Sequence, residues 1–111
     1  MEKENALGQV RIADEVIEII AELALNDIAG IYSAASRKGK KSQAKSMEVR
    51  VVDGQVTCNI EVFVGMNVKI PAVAEKVQSK VKQAIENMTG LQVSEVNVKI
   101  VGLVKEEAEE E

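Results

Sequence analysis

The feature that most constrains this chain is Asp53-Gly54, set between two runs in which apolar and polar residues alternate. Before it, Met47, Val49 and Val51 alternate with Glu48 and Arg50; after it, Val56, Cys58, Ile60, Val62 and Val64 alternate with Thr57, Asn59, Glu61 and Phe63. Both turn residues tolerate positive φ, so the pattern predicts a β-hairpin whose one apolar face needs cover.

Two segments with helical spacing can provide that cover. Asp14 and Glu15 place negative charge where a helix N-terminus favours it, and Val16, Ile17, Ile20, Leu23, Ala24 and Ile28 follow as a broad apolar face, with Gly30 as the stop. Pro71 suits the first turn of a second helix; Val73, Val77, Val81, Ile85 and Met88 then recur at three- and four-residue spacing, and Gly90 supplies a left-handed cap. Lys76, Lys80, Lys82 and Glu86 lie away from that stripe.

Gly8–Ile12 alternates as a short strand, and Val96, Val98 and Ile100 alternate with Asn97 and Lys99 as a last one. Alternation is lost over Val101–Val104, which fits either burial on both faces or an interface. The predicted fold is therefore α+β in the order β-α-β-β-α-β, with two helices packed on one face of a four-stranded, largely antiparallel sheet. Residues 1–104 are expected to form one domain, followed by an acidic flexible tail over 105–111.

Charge is distributed unevenly. Residues 105–111 hold one Lys and five Glu, which leaves 13 basic and 13 acidic side chains in residues 1–104 and a formally neutral body. Within that body, residues 33–46 carry Arg37, Lys38, Lys40, Lys41 and Lys45 with no acid. These five are the candidate anion or partner contacts, because clustered cations attract phosphate on nucleic acid or anionic lipid. A solvated loop explains the same residues, and no net positive charge on the body reinforces a nucleic-acid reading. Tyr32 and Phe63 are the only rings, a poor stacking platform for bases.

The sequence contains no histidine and a single cysteine, Cys58, among the apolar positions of its strand. Thiol catalysis lacks a base there, and a buried thiol is inert. Glu15, Glu18 and Glu22 can share a helix flank, which a solvated face explains without acid–base chemistry. Neither glycine-rich phosphate motif occurs. The expectation is a non-enzymatic protein with no catalytic, cofactor or metal residues. An N-terminus without a secretory pattern, and no apolar run of about 20 residues, predict a cytoplasmic location with at most peripheral membrane contact.

Three blocks, GQVRIADEVIEIIAELALNDIAGIY, VTCNIEVFVGMNVKIPAVAEKVQSKVKQAIENMTG and VSEVNVKIVGL, together resemble the alkaline-shock protein family over about residues 7–103. Ile70, Val73, Ala74, Val77, Gln78, Val81, Met88-Thr89-Gly90 and Val96-Asn97-Val98 carry the most specific part. The chain departs from the family at Val64, where Tyr is frequent, and at Ala13, where Ser is frequent. The resemblance implies small cytoplasmic proteins of envelope stress, some associated with the membrane or with fatty-acid metabolism, and some held at the membrane by an anchoring protein and able to self-assemble. The leading expectation is a scaffold or regulatory protein acting through protein partners, with homo-oligomers among them. The alternative is a nucleic-acid-binding module using the loop over 33–46.

Overall fold

The computed structural model describes residues 2–33 and 47–105. Elements follow in the order β1 (Glu2–Asn5), β2 (Gly8–Arg11), α1 (Asp14–Asn26), β3 (Ile31–Ser33), β4 (Met47–Val52), β5 (Gln55–Gly65), α2 (Ile70–Thr89) and β6 (Gln92–Val104). This is an α+β fold with two helices and a four-stranded sheet, as the periodicity predicts.

The central strand is β5. Its register with β4 runs antiparallel from Met47↔Ile60 to Val52↔Gln55, closing at Asp53 with φ 52° and Gly54 with φ 78°. These are the positive angles that the Asp-Gly pair was suited to adopt. On the same edge β3 continues antiparallel, with Ile31 opposite Val64 and Ser33 opposite Val62. The other edge of β5 pairs in parallel with β6, from Gln55↔Gln92 to Gly65↔Val104, with irregularities at Val56/Thr57 and Val62/Phe63.

The element order departs from β-α-β-β-α-β at its start. The strand expected over residues 8–12 does not enter the main sheet; β2 pairs antiparallel with β1 in a separate two-stranded sheet. The place in the sheet is taken by β3, whose three residues are too few to display a period.

Alternation along β5 sends Val56, Cys58, Ile60, Val62 and Val64 to one side, all buried. In-register neighbours share a face, so Val49 on β4 and Val93 and Val96 on β6 join them. Ile17, Ile20, Ala21 and Leu25 of α1 and Val77, Val81 and Ile85 of α2 complete the same core. Each Val or Ile fully removed from water there contributes roughly 1.5–3 kcal/mol before ordering costs.

The helix ends show local causes. Ala13 opens α1 without a side-chain cap; its carbonyl accepts from Val16 N at 3.0 Å, and Asp14 and Glu15 occupy the first turn. The helix closes at Asn26, four residues before the expected stop, as Asp27 N donates to Ala24 O at 3.2 Å and Ile28 N to Leu25 O at 3.0 Å. Gly30, with φ 85°, instead serves the turn into β3, and a Cβ there would stand 2.7 Å from Val68 Cγ1. Pro71 lies in the first turn of α2, and Gly90 closes it at φ 79°, donating to Glu86 O at 2.9 Å. Thr89 Oγ1 donates to Ile85 O at 2.6 Å and accepts from Leu91 N at 3.1 Å, joining the helix end to the next strand.

Two expected core positions of α1, Val16 and Leu23, are exposed, and Met88 at the end of the α2 stripe is exposed as well. Ala21 and Leu25 point inward instead, so the buried face of α1 is rotated from the one predicted.

Candidate partner-contact surface

The expected contact residues Arg37, Lys38, Lys40, Lys41 and Lys45 lie outside the described residues, as do the glutamates of the tail. Their attachment points are described. Ser33 faces Val62 and Met47 faces Ile60, so the chain leaves and rejoins the same edge of β5 on rungs that flank Glu61. The described residues on either side of the basic segment therefore lie side by side on the sheet.

Beside that place, on the side of the sheet away from the helices, Glu48, Asn59, Glu61, Asn97 and Lys99 line a shallow open cleft of about 290 Å³, with Met47, Ile60 and Val98 along its border. Cross-strand register brings these polar residues together, since Glu48 faces Asn59, Asn59 faces Asn97 and Glu61 faces Lys99. Asn97 Nδ2 donates to Asn59 Oδ1 at 2.9 Å and to Glu95 Oε1 at 3.3 Å. At the far end of this face the Phe63 ring lies against Gly102, where a Cβ would come within 2.5 Å of Cε2.

Cys58 is fully buried, and burial pushes its thiol up to about 11. It stays protonated near neutral pH and acts as a small core residue. Among the described residues there is no group of three or more His, Cys, Asp or Glu side chains placed to hold a metal. Glu15 and Glu22 are exposed and Glu18 is half-buried on α1.

The side-chain network that sequence reasoning missed runs along one flank of α2. Gln78 Nε2 donates to Val96 O at 3.0 Å, Lys82 Nζ donates to Val93 O at 3.2 Å, and Glu86 Oε2 accepts from Val93 N at 2.9 Å. Lys82 and Glu86 also approach to 3.5 Å as an i,i+4 pair. The four-residue spacing of Gln78, Lys82 and Glu86 is visible in the sequence, but that they face a strand edge is a tertiary fact. The bond from Val93 N holds the Glu86 carboxyl below its ordinary range, with Lys82 adding to the effect against partial desolvation. Because the folded value is depressed, this contribution is present above the ordinary carboxylate range and fades as pH falls through the lowered value.

The second surface feature is apolar. Val16, Ile19 and Leu23 recur at three- and four-residue spacing on the side of α1 turned away from the core, about half exposed each. Among the described residues, no helix is long and apolar enough to cross a membrane.

The fold and this surface define a small α+β arrangement in which two helices cover one side of a sheet and a polar cleft opens on the other. The model of the alkaline-shock protein family, a family described as having a cell envelope-related function, matches residues 2–105, and the chain belongs to that family. Its relatives include YqhY of Bacillus subtilis, 35% identical over 91% of this chain and 81% of that protein. YloU of the same organism is 30% identical over 93% of this chain and 94% of its own length. A stress response regulator gls24 homolog of Streptococcus pyogenes is 32% identical over 94% of this chain and 64% of that longer protein. Among solved structures, the zinc form of a MamM CTD variant shares the fold at TM-score 0.54, with 12% identity over 86% of this chain and 91% of that one. At that identity the likeness concerns the fold alone.

Proposed function

We propose that this chain is a non-enzymatic scaffold or regulatory protein of the envelope stress response, acting through protein partners at the cytoplasmic face of the membrane. The observation that carries the reading is the family itself, together with a stress response regulator homolog that matches nearly the whole of this chain. The surface supports it: the one cysteine is sealed in the core, whereas apolar residues of α1 and a polar cleft remain open to contact.

In this reading the protein is held to the membrane by an anchoring partner, with the basic segment over 33–46 adding peripheral attraction to anionic lipid, and it works without a cofactor. A link to fatty-acid metabolism would enter through a partner and not through chemistry on this chain. Gentle lysis of the native host, membrane fractionation and affinity capture of the tagged chain test the proposal. Recovery with the membrane fraction and a specific protein is the expected result. A chain that comes down alone, from the soluble fraction, would remove the basis for the scaffold. Salt-sensitive binding to nucleic acid in its place would favour the basic segment as a nucleic-acid contact.

A further inference from the structure

The two edges of the main sheet are finished differently. On one edge of β5 lie β3 and β4; beyond the other lies β6, which pairs with no further strand among the described residues. An unpaired edge presents a row of N–H and C=O groups able to template another strand.

The bonds from α2 fix which peptide groups face outward. Val93 N and O bond to Glu86 and Lys82, and Val96 O bonds to Gln78, so both residues turn away from β5. Alternation then turns Val98 and Ile100 outward too. Past the irregularity, Met66 N donates to Val104 O at 3.1 Å, which turns Val104 inward and Leu103 outward. Among the described residues no hydrogen bond reaches the outward groups of Val98, Ile100 or Leu103.

The flank of α2 explains why the edge is closed at one end and open at the other. Counted back by fours from Glu86, Lys82 and Gln78, the same row continues with Ala74 and Ile70. Its polar part reaches the edge at Val93 and Val96; its apolar part has no group that can. The open stretch, Asn97–Val104, is about 26 Å long at ~3.3 Å per residue. Val101 and Leu103 are exposed on it, as is Ile70 on the helix row.

We infer that the Asn97–Val104 edge of β6 is a self-association surface, pairing antiparallel with the same edge of a second copy across a two-fold axis. A two-fold contact must be self-complementary, and this segment satisfies that requirement. With the axis between Ile100 and Val101, Val98 falls opposite Leu103 of the second copy, so the outward peptide groups of these two residues meet on both sides of the axis, while Ile100 falls opposite Val101 at the irregularity. Lys99, the only charged residue of the segment, falls opposite Gly102 and not opposite itself, and its neighbour on β5 is Glu61. No like charges meet along the seam. The product is a continuous sheet of eight strands with α2 of both copies on one face. This inference stands on the edge geometry and does not depend on the envelope-stress reading.

Sedimentation velocity on the full chain tests it. Wild type is expected to form a dimer at micromolar concentration. Val101→Glu and Val101→Lys each place like charges beside the axis and should raise the dimer dissociation constant by at least about tenfold, while an equimolar mixture of the two restores association. Met88→Glu, exposed at the distant end of α2, should change nothing. The mixture keeps the test clear of misfolding, because two unfolded variants would not rescue each other. A wild type that stays monomeric overturns the inference, even if it captures a foreign strand peptide. A dimer indifferent to both Val101 variants, or one that the mixture fails to restore, overturns it equally.

Discussion

The two helices cover the same sheet in different ways. Along α2 the apolar stripe is narrow, and Val77, Val81 and Ile85 are wholly buried while the flanks are polar. Along α1 the apolar residues exceed what one face can bury: Ile17, Ile20, Ala21 and Leu25 enter the core, and Val16, Ile19 and Leu23 are left outside. The contrast separates two uses of apolar surface. On α2 it is consumed by folding along the middle of the helix, and Ile70 and Met88 are exposed at its two ends; on α1 part of it remains along the helix after the core is complete.

Substitutions should expose this difference as a gradient. The largest effect belongs to the shared core, where Ile85→Ala and Ile17→Ala should each cost about 2–5 kcal/mol in denaturant unfolding, since both side chains are fully enclosed. Equal losses at the two sites would confirm that both helices are anchored by the same core; a small loss at Ile17 would detach α1 from it.

A smaller step separates the two helix exits. Gly90→Ala meets open space and incurs only the left-handed backbone penalty of about 1–2 kcal/mol, whereas Gly30→Ala adds a clash with Val68 Cγ1 and should lower the melting temperature further. Val68→Ala in the Gly30→Ala background should recover part of that difference, which would trace it to the side chain.

The polar flank comes next. Gln78→Ala removes a bond to the edge carbonyl of Val96 and should cost about 0.5–1.5 kcal/mol. At the bottom of the gradient, Leu23→Ser on the outer stripe of α1 should leave stability within about 0.5 kcal/mol of wild type, because its side chain already meets water. A loss comparable to that at Ile17 would mean that the outer stripe is covered in solution.

How much of this was legible in the sequence follows from the length and polarity of each element. The β4–β5 hairpin was readable because Asp53-Gly54 punctuates two long alternating runs, and α2 because its stripe persists from Val73 to Ile85. The β1–β2 hairpin was half readable: Val10 and Ile12 alternate, but EKEN is polar throughout and gives no sign of being a strand. The rotation of α1 was hidden because apolar residues on several sides permit more than one buried face, and only the sheet selects among them. The loss of alternation over Val101–Val104 did register in the sequence. Its location on an open edge depended on the parallel pairing with β5 and on three α2 side chains spaced by four residues.

Amide hydrogen exchange across a concentration series reads the two parts of the β6 edge separately. Val93 N–H should be protected at every concentration, because Glu86 accepts its hydrogen bond within one chain. The amides of Val98 and Leu103 should exchange readily in dilute protein and become protected together as concentration rises through the dimerisation range. Ready exchange of those two at all concentrations, or an unprotected Val93, would contradict an edge closed by α2 at one end and by a second copy at the other.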